Sequence, residues 1–182
     1  MRLWLSGYRS YELAIFSDKD PKLAVIRYTL QQELRNLLEN GLEWIITSGQ
    51  LGIEQWGCQE AFKLKTDYPD LKIALMFPYA DFAKTWNENN QLKLASLQEQ
   101  CDFYENVSHQ PYTGIEQLKN YQDFMLKHTD QALFIYDPQF SGKADYAYQA
   151  ILKYQQNHTY PTRFIDMDQL QENAQLYFEN QA

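Results

Sequence analysis

Short apolar runs alternate along the chain with longer segments in which apolar residues recur every three or four positions. The longer period is typical of an amphipathic helix, and a short continuous apolar run indicates a strand that is buried on both faces. The predicted strands are Leu3–Ser6, Trp44–Thr47, Leu71–Phe77, Phe103–Ser108, Ala132–Tyr136 and Thr162–Ile165. The predicted helices are Pro21–Leu38, Ile53–Thr66, Gln91–Gln100, Ile115–His128, a segment that follows Ser141-Gly142 and ends near Gln156, and Met167–Phe178. This alternation predicts an α/β domain whose mostly parallel sheet is covered by helices on both faces.

Prolines and glycines punctuate this pattern. Pro21 suits the first turn of a helix, and Gly41 suits the position just past its end. Pro78 is expected to close the third strand, after which the segment 79–90 is polar. No linker, repeat or low-complexity tract interrupts the chain, so residues 1–182 are predicted to form a single domain.

Composition and charge narrow the class of partner. The 182 residues are 45% apolar and 22% charged, which is ordinary for a globular domain, and the net charge is −8. Nucleic acid is therefore an improbable partner, because a binder of phosphate backbones normally carries a basic stripe and this chain has no Lys/Arg run. No segment approaches the ~20 apolar residues that a membrane span requires, and the amino-terminal segment is too short and too quickly polar to be a signal peptide. Cys58 and Cys101 have no metal-ligand spacing and suggest reduced thiols, so we expect a cytoplasmic protein.

The segment Ser48-Gly49-Gln50-Leu51-Gly52-Ile53-Glu54 is the most informative motif. It joins a buried strand to a helix through a turn with two glycines three residues apart. Ligands of open parallel sheets bind beyond the carboxyl ends of the strands, and glycines before a helix N-terminus permit a phosphate to approach main-chain N–H groups. The alternative is that Gly49 and Gly52 only make a tight turn, and spacing alone favours that alternative.

Three polar residues near this edge each have two interpretations. Glu54 either caps its own helix, where the dipole favours a carboxylate, or accepts hydrogen bonds from ribose hydroxyls. Arg9, in the loop after the first strand, either clamps a phosphate with its forked guanidinium or pairs with Glu12 at the surface. Asp137, after the fifth strand, either accepts from a ligand hydroxyl or starts an Asx-type turn.

Further candidates are weaker. Gly142-Lys143 begins a helix and is a second candidate anion site. Tyr79 and Trp86 follow the third strand and either stack on a base as a lid or pack beneath a long loop. His109, His128 and His158 lack partners at metal-ligand spacing and are expected to be surface or capping residues, so no metal site is predicted. Familiar catalytic motifs such as GxSxG, HExxH, the Walker lysine motif and GxGxxG are missing from the sequence.

With these motifs the chain resembles the YpsA family of Gram-positive bacteria, a group of SLOG-superfamily proteins with a Rossmann-like domain. The resemblance extends over essentially the whole chain, and SGQLGxExW is its most specific string. The matching segments are Ser6-Gly7-Tyr8-Arg9 with Glu12-Leu13 and Ile15-Phe16, Gly41 to Ile45, Ser48 to Trp56, Tyr68 to Lys72, Trp86, Pro111-Tyr112, Tyr136-Asp137-Pro138 and Tyr160-Pro161. One departure lies between Leu118 and Phe124, where the family usually has a basic residue and Asn-Gln and this chain has Tyr121-Gln122-Asp123.

The resemblance implies a Rossmann-like three-layer α/β/α fold and a pocket formed by the first loop and the glycine turn. The pocket is proposed for nucleotides or for compounds related to NAD or ADP-ribose, and the family is associated with cell division and stress responses. The expected ligand-binding residues are Gly7, Tyr8, Arg9, Ser48, Gly49, Gly52, Glu54 and Asp137.

Two related families frame the alternatives. The cytokinin-activating phosphoribohydrolases (LOG proteins) carry PGGxGTxxE, which this chain lacks; Ser141-Gly142-Lys143-Ala144 is a thin substitute. The single-strand-binding protein DprA carries SGxAxGID, which Ser48–Glu54 resembles with one residue fewer, but the acidic net charge argues against that role. The leading hypothesis is a nucleotide-derivative sensor that changes its contacts with a protein partner. The others are an N-glycosidic hydrolase with Glu54 as its acidic group, and a structural interaction protein with a vestigial pocket.

Overall fold

The structure, a computed structural model, describes all 182 residues and contains six strands and six α-helices. The strands are β1 (Arg2–Gly7), β2 (Trp44–Thr47), β3 (Lys72–Ala80), β4 (Phe103–Pro111), β5 (Gln131–Ile135) and β6 (Thr162–Ile165). The helices are α1 (Pro21–Glu39), α2 (Ile53–Leu64), α3 (Glu88–Gln100), α4 (Ile115–His128), α5 (Asp145–Gln155) and α6 (Met167–Gln181). None of these helices combines the length and apolar character needed to cross a bilayer.

All six strands belong to one parallel sheet with the order β4-β3-β2-β1-β5-β6. The chain steps outward from β1 to β4 and then returns to place β5 on the other side of β1. The strand order therefore reverses at β1, and the crevice beyond the carboxyl ends of β1 and β5 is the expected position for a ligand.

The helices form two groups on the two faces of the sheet. Contacts link α1 with α2 and α6, and α2 with α3, whereas α4 contacts α5. The three-layer Rossmann-like α/β/α prediction is thus confirmed. The central strands are almost fully buried, and several of the chain's many aromatic residues lie in this core: the Trp4 and Phe134 rings pack edge to face with centroids 5.2 Å apart.

Several element boundaries differ by two or three residues from the sequence-based expectation, and two of these differences have a clear physical cause. β3 continues through Pro78 to Ala80, where the expected strand ended at Pro78. The pairing of β3 with β2 ends at Leu75, so the missing N–H of Pro78 removes no hydrogen bond from that side. α3 begins at Glu88 because the Asn87 side chain accepts a hydrogen bond from the Asn90 amide at 2.9 Å, an N-cap that the apolar periodicity does not reveal.

Candidate functional site

The loop after β1 and the glycine turn after β2 lie in direct contact at the carboxyl edge of the sheet. The Ile53 amide, at the start of α2, donates a hydrogen bond to the Tyr8 carbonyl at 3.1 Å. A Cβ added at Gly52 would lie 2.5 Å from the Tyr8 carbonyl oxygen and 2.6 Å from the Ser10 nitrogen. The two segments that the sequence separates by about forty residues therefore form one structural unit.

Both glycines of the turn are buried and have positive φ angles, +76° at Gly49 and +108° at Gly52. A Cβ at Gly49 would lie 2.9 Å from the Leu94 side chain on α3. Packing against neighbouring protein atoms thus explains both residues, which directly supports the tight-turn interpretation. Ligand binding at these glycines stays a prediction.

The main-chain donors of the turn are only partly satisfied. The Gln50 amide donates to the Glu54 carboxylate at 2.8 Å, and the Leu51 amide donates to the Gln50 side chain at 3.1 Å. The amides of Gly49 and Gly52 donate to no protein acceptor. Buried N–H groups without an acceptor are rare in proteins, so these two amides are available to an anion or to water.

Glu54 is the anchor of this edge. Its carboxylate is buried and accepts hydrogen bonds from the Ser6 hydroxyl at 2.7 Å, from the Ser48 hydroxyl and from the Gln50 amide. The donors are neutral, and they tie together the ends of β1, β2 and α2. Glu54 lies in the first turn of α2, where the helix dipole favours a carboxylate, but no side chain caps this helix and the hydrogen bonds of Glu54 join neighbouring segments instead. Hydrogen bonding to a ribose stays a prediction.

Tyr121 on α4 is a member of the site that the sequence did not indicate. Its hydroxyl is buried close to Ser48 and Glu54 and makes no hydrogen bond of good geometry. Burial raises the pKa of Tyr121 well above its ordinary value, and the nearby Glu54 carboxylate raises it further. Tyr121 falls in the segment where this chain departs from the YpsA pattern, so no family motif pointed to it.

Arg9 differs from the other four arginines of the chain because its guanidinium has no carboxylate partner. Arg2, Arg27, Arg35 and Arg163 each form an ion pair. Arg9 is half-buried, and the Arg9–Glu12 ion pair considered as its alternative role is not formed. A half-buried guanidinium without a counter-ion at a sheet's carboxyl edge is suited to a ligand anion.

The Glu12 carboxylate instead bridges two loops. It accepts hydrogen bonds from the main-chain amides of Arg9 at 2.8 Å and Lys143 at 2.7 Å. A Cβ at Gly142 would lie 2.7 Å from the same carboxylate. The candidate anion site at Gly142-Lys143 is therefore filled by a side chain of the protein itself.

An aromatic group adjoins Arg9 at the ends of β3 and β4. Burial raises the pKa of Tyr79 and Tyr112 raises it further, whereas the positive charge of Arg9 partly offsets this rise. The Tyr79 ring packs against Tyr112 at 5.1 Å and against Phe82 at 5.7 Å, and Phe82 packs against Trp86 at 5.4 Å. Tyr112 was not among the expected site residues, although it follows β4 and so lies at the same edge of the sheet.

Tyr8, Asp137 and Gly7 connect the first loop to the end of β5. The buried Tyr8 hydroxyl has the carbonyls of Asp137 at 2.9 Å and Phe140 at 2.8 Å as acceptors for its single proton, and it accepts from the Asp137 amide at 3.1 Å. The Asp137 carboxylate accepts from the Gln139 amide at 2.9 Å, which is the Asx-type turn, and from the Met167 amide at 3.1 Å. A Cβ at Gly7 would lie 2.4 Å from the Ile135 carbonyl oxygen. These contacts are structural, and a ligand role for the three residues stays a prediction.

No group of three or more His, Cys, Asp or Glu side chains is arranged so that it would hold a metal ion. The His128 and His158 rings each lie within hydrogen-bond distance of the carbonyl four residues earlier, at 2.8 Å and 3.1 Å. Both histidines are exposed.

Comparison with known proteins identifies the group to which this fold and site belong. The family model of the YspA SLOG family (YpsA) matches residues 3–170. The chain belongs to the YpsA family. It is 54% identical to the UPF0398 protein of Levilactobacillus brevis, an alignment that covers 98% of this chain and 95% of that protein. It is 53% identical to the UPF0398 protein of Leuconostoc citreum, covering 100% and 96%, and 55% identical to that of Lactobacillus gasseri, covering 98% and 95%.

The YpsA match confirms the resemblance drawn from the SGQLGxExW string. It includes every residue of the candidate site, from Gly7 in the first loop to Asp137 after β5, and it ends within α6.

Proposed function

We propose that the protein binds a small phosphate-bearing ligand, a nucleotide or a derivative of NAD or ADP-ribose, between the first loop and the glycine turn. Arg9 clamps the phosphate, and the amides of Gly49 and Gly52 supply main-chain donors. The proposal extends to a regulatory role, in which ligand binding changes contacts with a protein partner. The family resemblance is what supports a link between this role and cell division or stress.

The observation that carries the proposal is the position of Arg9. It is the one arginine of the chain without a carboxylate partner, and it lies in the loop that packs directly on Gly52. The chain has a net charge of −8 and 24 Asp and Glu side chains, and none of these carboxylates pairs with Arg9. The start of α2 adds the positive end of a helix dipole at the same place.

Isothermal titration calorimetry with AMP, ADP-ribose and NAD tests this assignment. The Arg9→Gln variant is expected to bind roughly 10- to 100-fold more weakly, since a charge-assisted hydrogen bond contributes about 1.5–3 kcal/mol. Arg9→Lys is expected to recover part of the loss, because it keeps the charge and loses the fork.

The matched control is Arg35→Gln. Arg35 lies near the end of α1, at the opposite edge of the sheet, and forms an exposed ion pair with Asp67 at 3.1 Å. Its variant removes the same charge and is expected to bind as the wild type does. Equal affinity of wild type and Arg9→Gln for every ligand, or no binding of any of them at millimolar concentration, would overturn the proposal.

The hydrolase alternative places a different demand on Glu54. A general acid or base must reach the substrate, whereas the Glu54 carboxylate is buried and already accepts hydrogen bonds from Ser6, Ser48 and Gln50. These contacts favour a binding site over a glycosidic hydrolase. Release of free base from AMP, followed by chromatography with wild type and Glu54→Gln, would reverse that preference if only the wild type released it.

A further inference from the structure

An open groove lies between α3 and the edge strand β4, next to the proposed ligand site. Its volume is about 540 Å³, within the usual range for small-molecule pockets. Phe77 and Leu94 contribute apolar side chains to its lining, and Phe82 and Tyr104 add two aromatic rings. Tyr104 is 53% exposed, so one aromatic ring of the groove is open to solvent.

Two residues of the groove connect it with the surroundings of the phosphate site. Leu94 is the side chain that lies 2.9 Å from the position of a Cβ at Gly49. Phe82 packs on Tyr79, whose hydroxyl lies within the electrostatic influence of Arg9. Leu94 therefore joins the groove to the glycine turn, and Phe82 joins it to the aromatic group that includes Tyr79.

We propose that this groove binds the adenine base of the nucleotide, with the base stacked on Tyr104 and Phe82. The inference rests on the proposed function and adds the position and identity of the base. Aromatic side chains stack on the face of any nucleobase, so the two rings contribute affinity for the base without selecting which base binds. The side-chain amides of Gln98 and Asn106 lie in the groove without protein hydrogen-bond partners. A side-chain amide of this kind pairs with adjacent donor and acceptor atoms of adenine.

Charge sets the orientation of the ligand. The groove contains the carboxylates of Asp81 and Glu105 and only one cation, Lys84. A phosphate in the groove would meet a net negative surface, whereas at Arg9 it meets an unpaired positive charge. The uncharged base is therefore the part of a nucleotide that fits the groove.

The test compares AMP with ribose 5-phosphate, which has the phosphate and sugar but no base. In calorimetric titrations the wild type is expected to prefer AMP by 10-fold or more. Tyr104→Ala is expected to weaken AMP binding roughly 5- to 100-fold, the range found for a stacked base, and to leave ribose 5-phosphate binding unchanged. Asn106→Ala is expected to narrow the preference of the wild type for AMP over UMP.

Tyr146→Ala is the control, because this exposed tyrosine on α5 lies in the helix group on the other face of the sheet. Its AMP affinity is expected to equal that of the wild type. If Tyr104→Ala and Asn106→Ala bind AMP as the wild type does while Arg9→Gln has lost it, the groove assignment is wrong and the phosphate site stands. Equal wild-type affinity for AMP and UMP overturns the adenine assignment, and no binding of AMP, ADP-ribose, NAD or ribose 5-phosphate overturns both proposals.

Discussion

Replacing Gly52 by alanine is expected to destabilise the protein more than any other glycine-to-alanine change outside the strands and helices. Two physical effects add at this position. The φ angle of +108° is strained for a residue with a Cβ, and the new Cβ would lie within 2.5–2.8 Å of three main-chain atoms of Tyr8, Arg9 and Ser10. Main-chain atoms cannot rotate away as a flexible side chain can, so the loop after β1 must move.

The magnitude follows from the two effects. Backbone strain at a positive φ costs about 1–2 kcal/mol. Overpacking of a well-packed site costs typically about 1–3 kcal/mol. We therefore expect Gly52→Ala to lower the free energy of unfolding by about 2–5 kcal/mol.

Two other glycines separate the effects. Gly41 has a φ of +93° and nothing within 4 Å of its added Cβ, so Gly41→Ala is expected to show the strain alone, about 1–2 kcal/mol. Gly114 has an extended backbone and open space, and Gly114→Ala is expected to stay within about 0.5 kcal/mol of the wild type.

Urea denaturation followed by circular dichroism measures all three variants, with the slope m confirming that the unfolded states are comparable. A Gly52→Ala variant as stable as Gly41→Ala would refute the close approach of the loop and the turn. The result also bears on the ligand site, because a loss of binding in Gly52→Ala would report displacement of the Arg9 loop as well as any direct contact.

Two further predictions concern buried polar groups. Burial raises the pKa of Tyr8 to about 12, and hydrogen bonding to the Asp137 main chain partly opposes this rise. The pKa of Tyr8 is therefore higher in the folded protein than in the unfolded chain. The stability that the protonated Tyr8 contributes is complete below about pH 10 and is lost as the pH rises towards 12. Tyr8→Phe should therefore lower the free energy of unfolding at pH 7 by about 1–3 kcal/mol and reduce its decline between pH 10 and 12, and an unchanged alkaline decline in urea titrations would contradict this. Glu54→Gln is expected to cost about 2–4 kcal/mol, since an amide nitrogen would face a hydroxyl or amide donor, and a variant within 0.5 kcal/mol of the wild type in the same assay would exclude the anchoring role.

Local pattern was sufficient for most of the fold because each element carries its own signal. Continuous apolar runs mark the strands, and Pro21, Gly41 and the helical period mark α1, so the alternation of elements and the parallel sheet could be predicted. The predicted end of β3 was wrong. A proline disrupts a strand only where the neighbouring strand needs a hydrogen bond from that position, and only the pairing of β3 with β2 shows that Pro78 lies beyond it.

The position of the candidate site in the fold could be predicted more readily than the hydrogen bonds and ion pairs within it. Loops that follow parallel strands must meet at one edge, so Arg9, the glycine turn and Asp137 were expected there. The partners of each side chain were not predictable, because Arg9 and Glu12 are near neighbours in sequence and yet Glu12 binds the Lys143 amide across the fold. Tyr121 was missed for the same reason: nothing in the local pattern of α4 shows which residue of its apolar face reaches Glu54.

The sequence by itself thus determined the layers, the parallel sheet, the family and the glycine turn, because these depend on periodicity, backbone conformation and a specific string of residues. The tertiary structure alone decided that Glu12 fills the second anion site, that Glu54 is held by Ser6, Ser48 and Gln50, and that Arg9 is left without a partner. The physical reason is that ion pairs and hydrogen bonds depend on distances of a few ångströms between elements that are far apart along the chain. The charge available to a ligand is the charge that remains after those pairings are made.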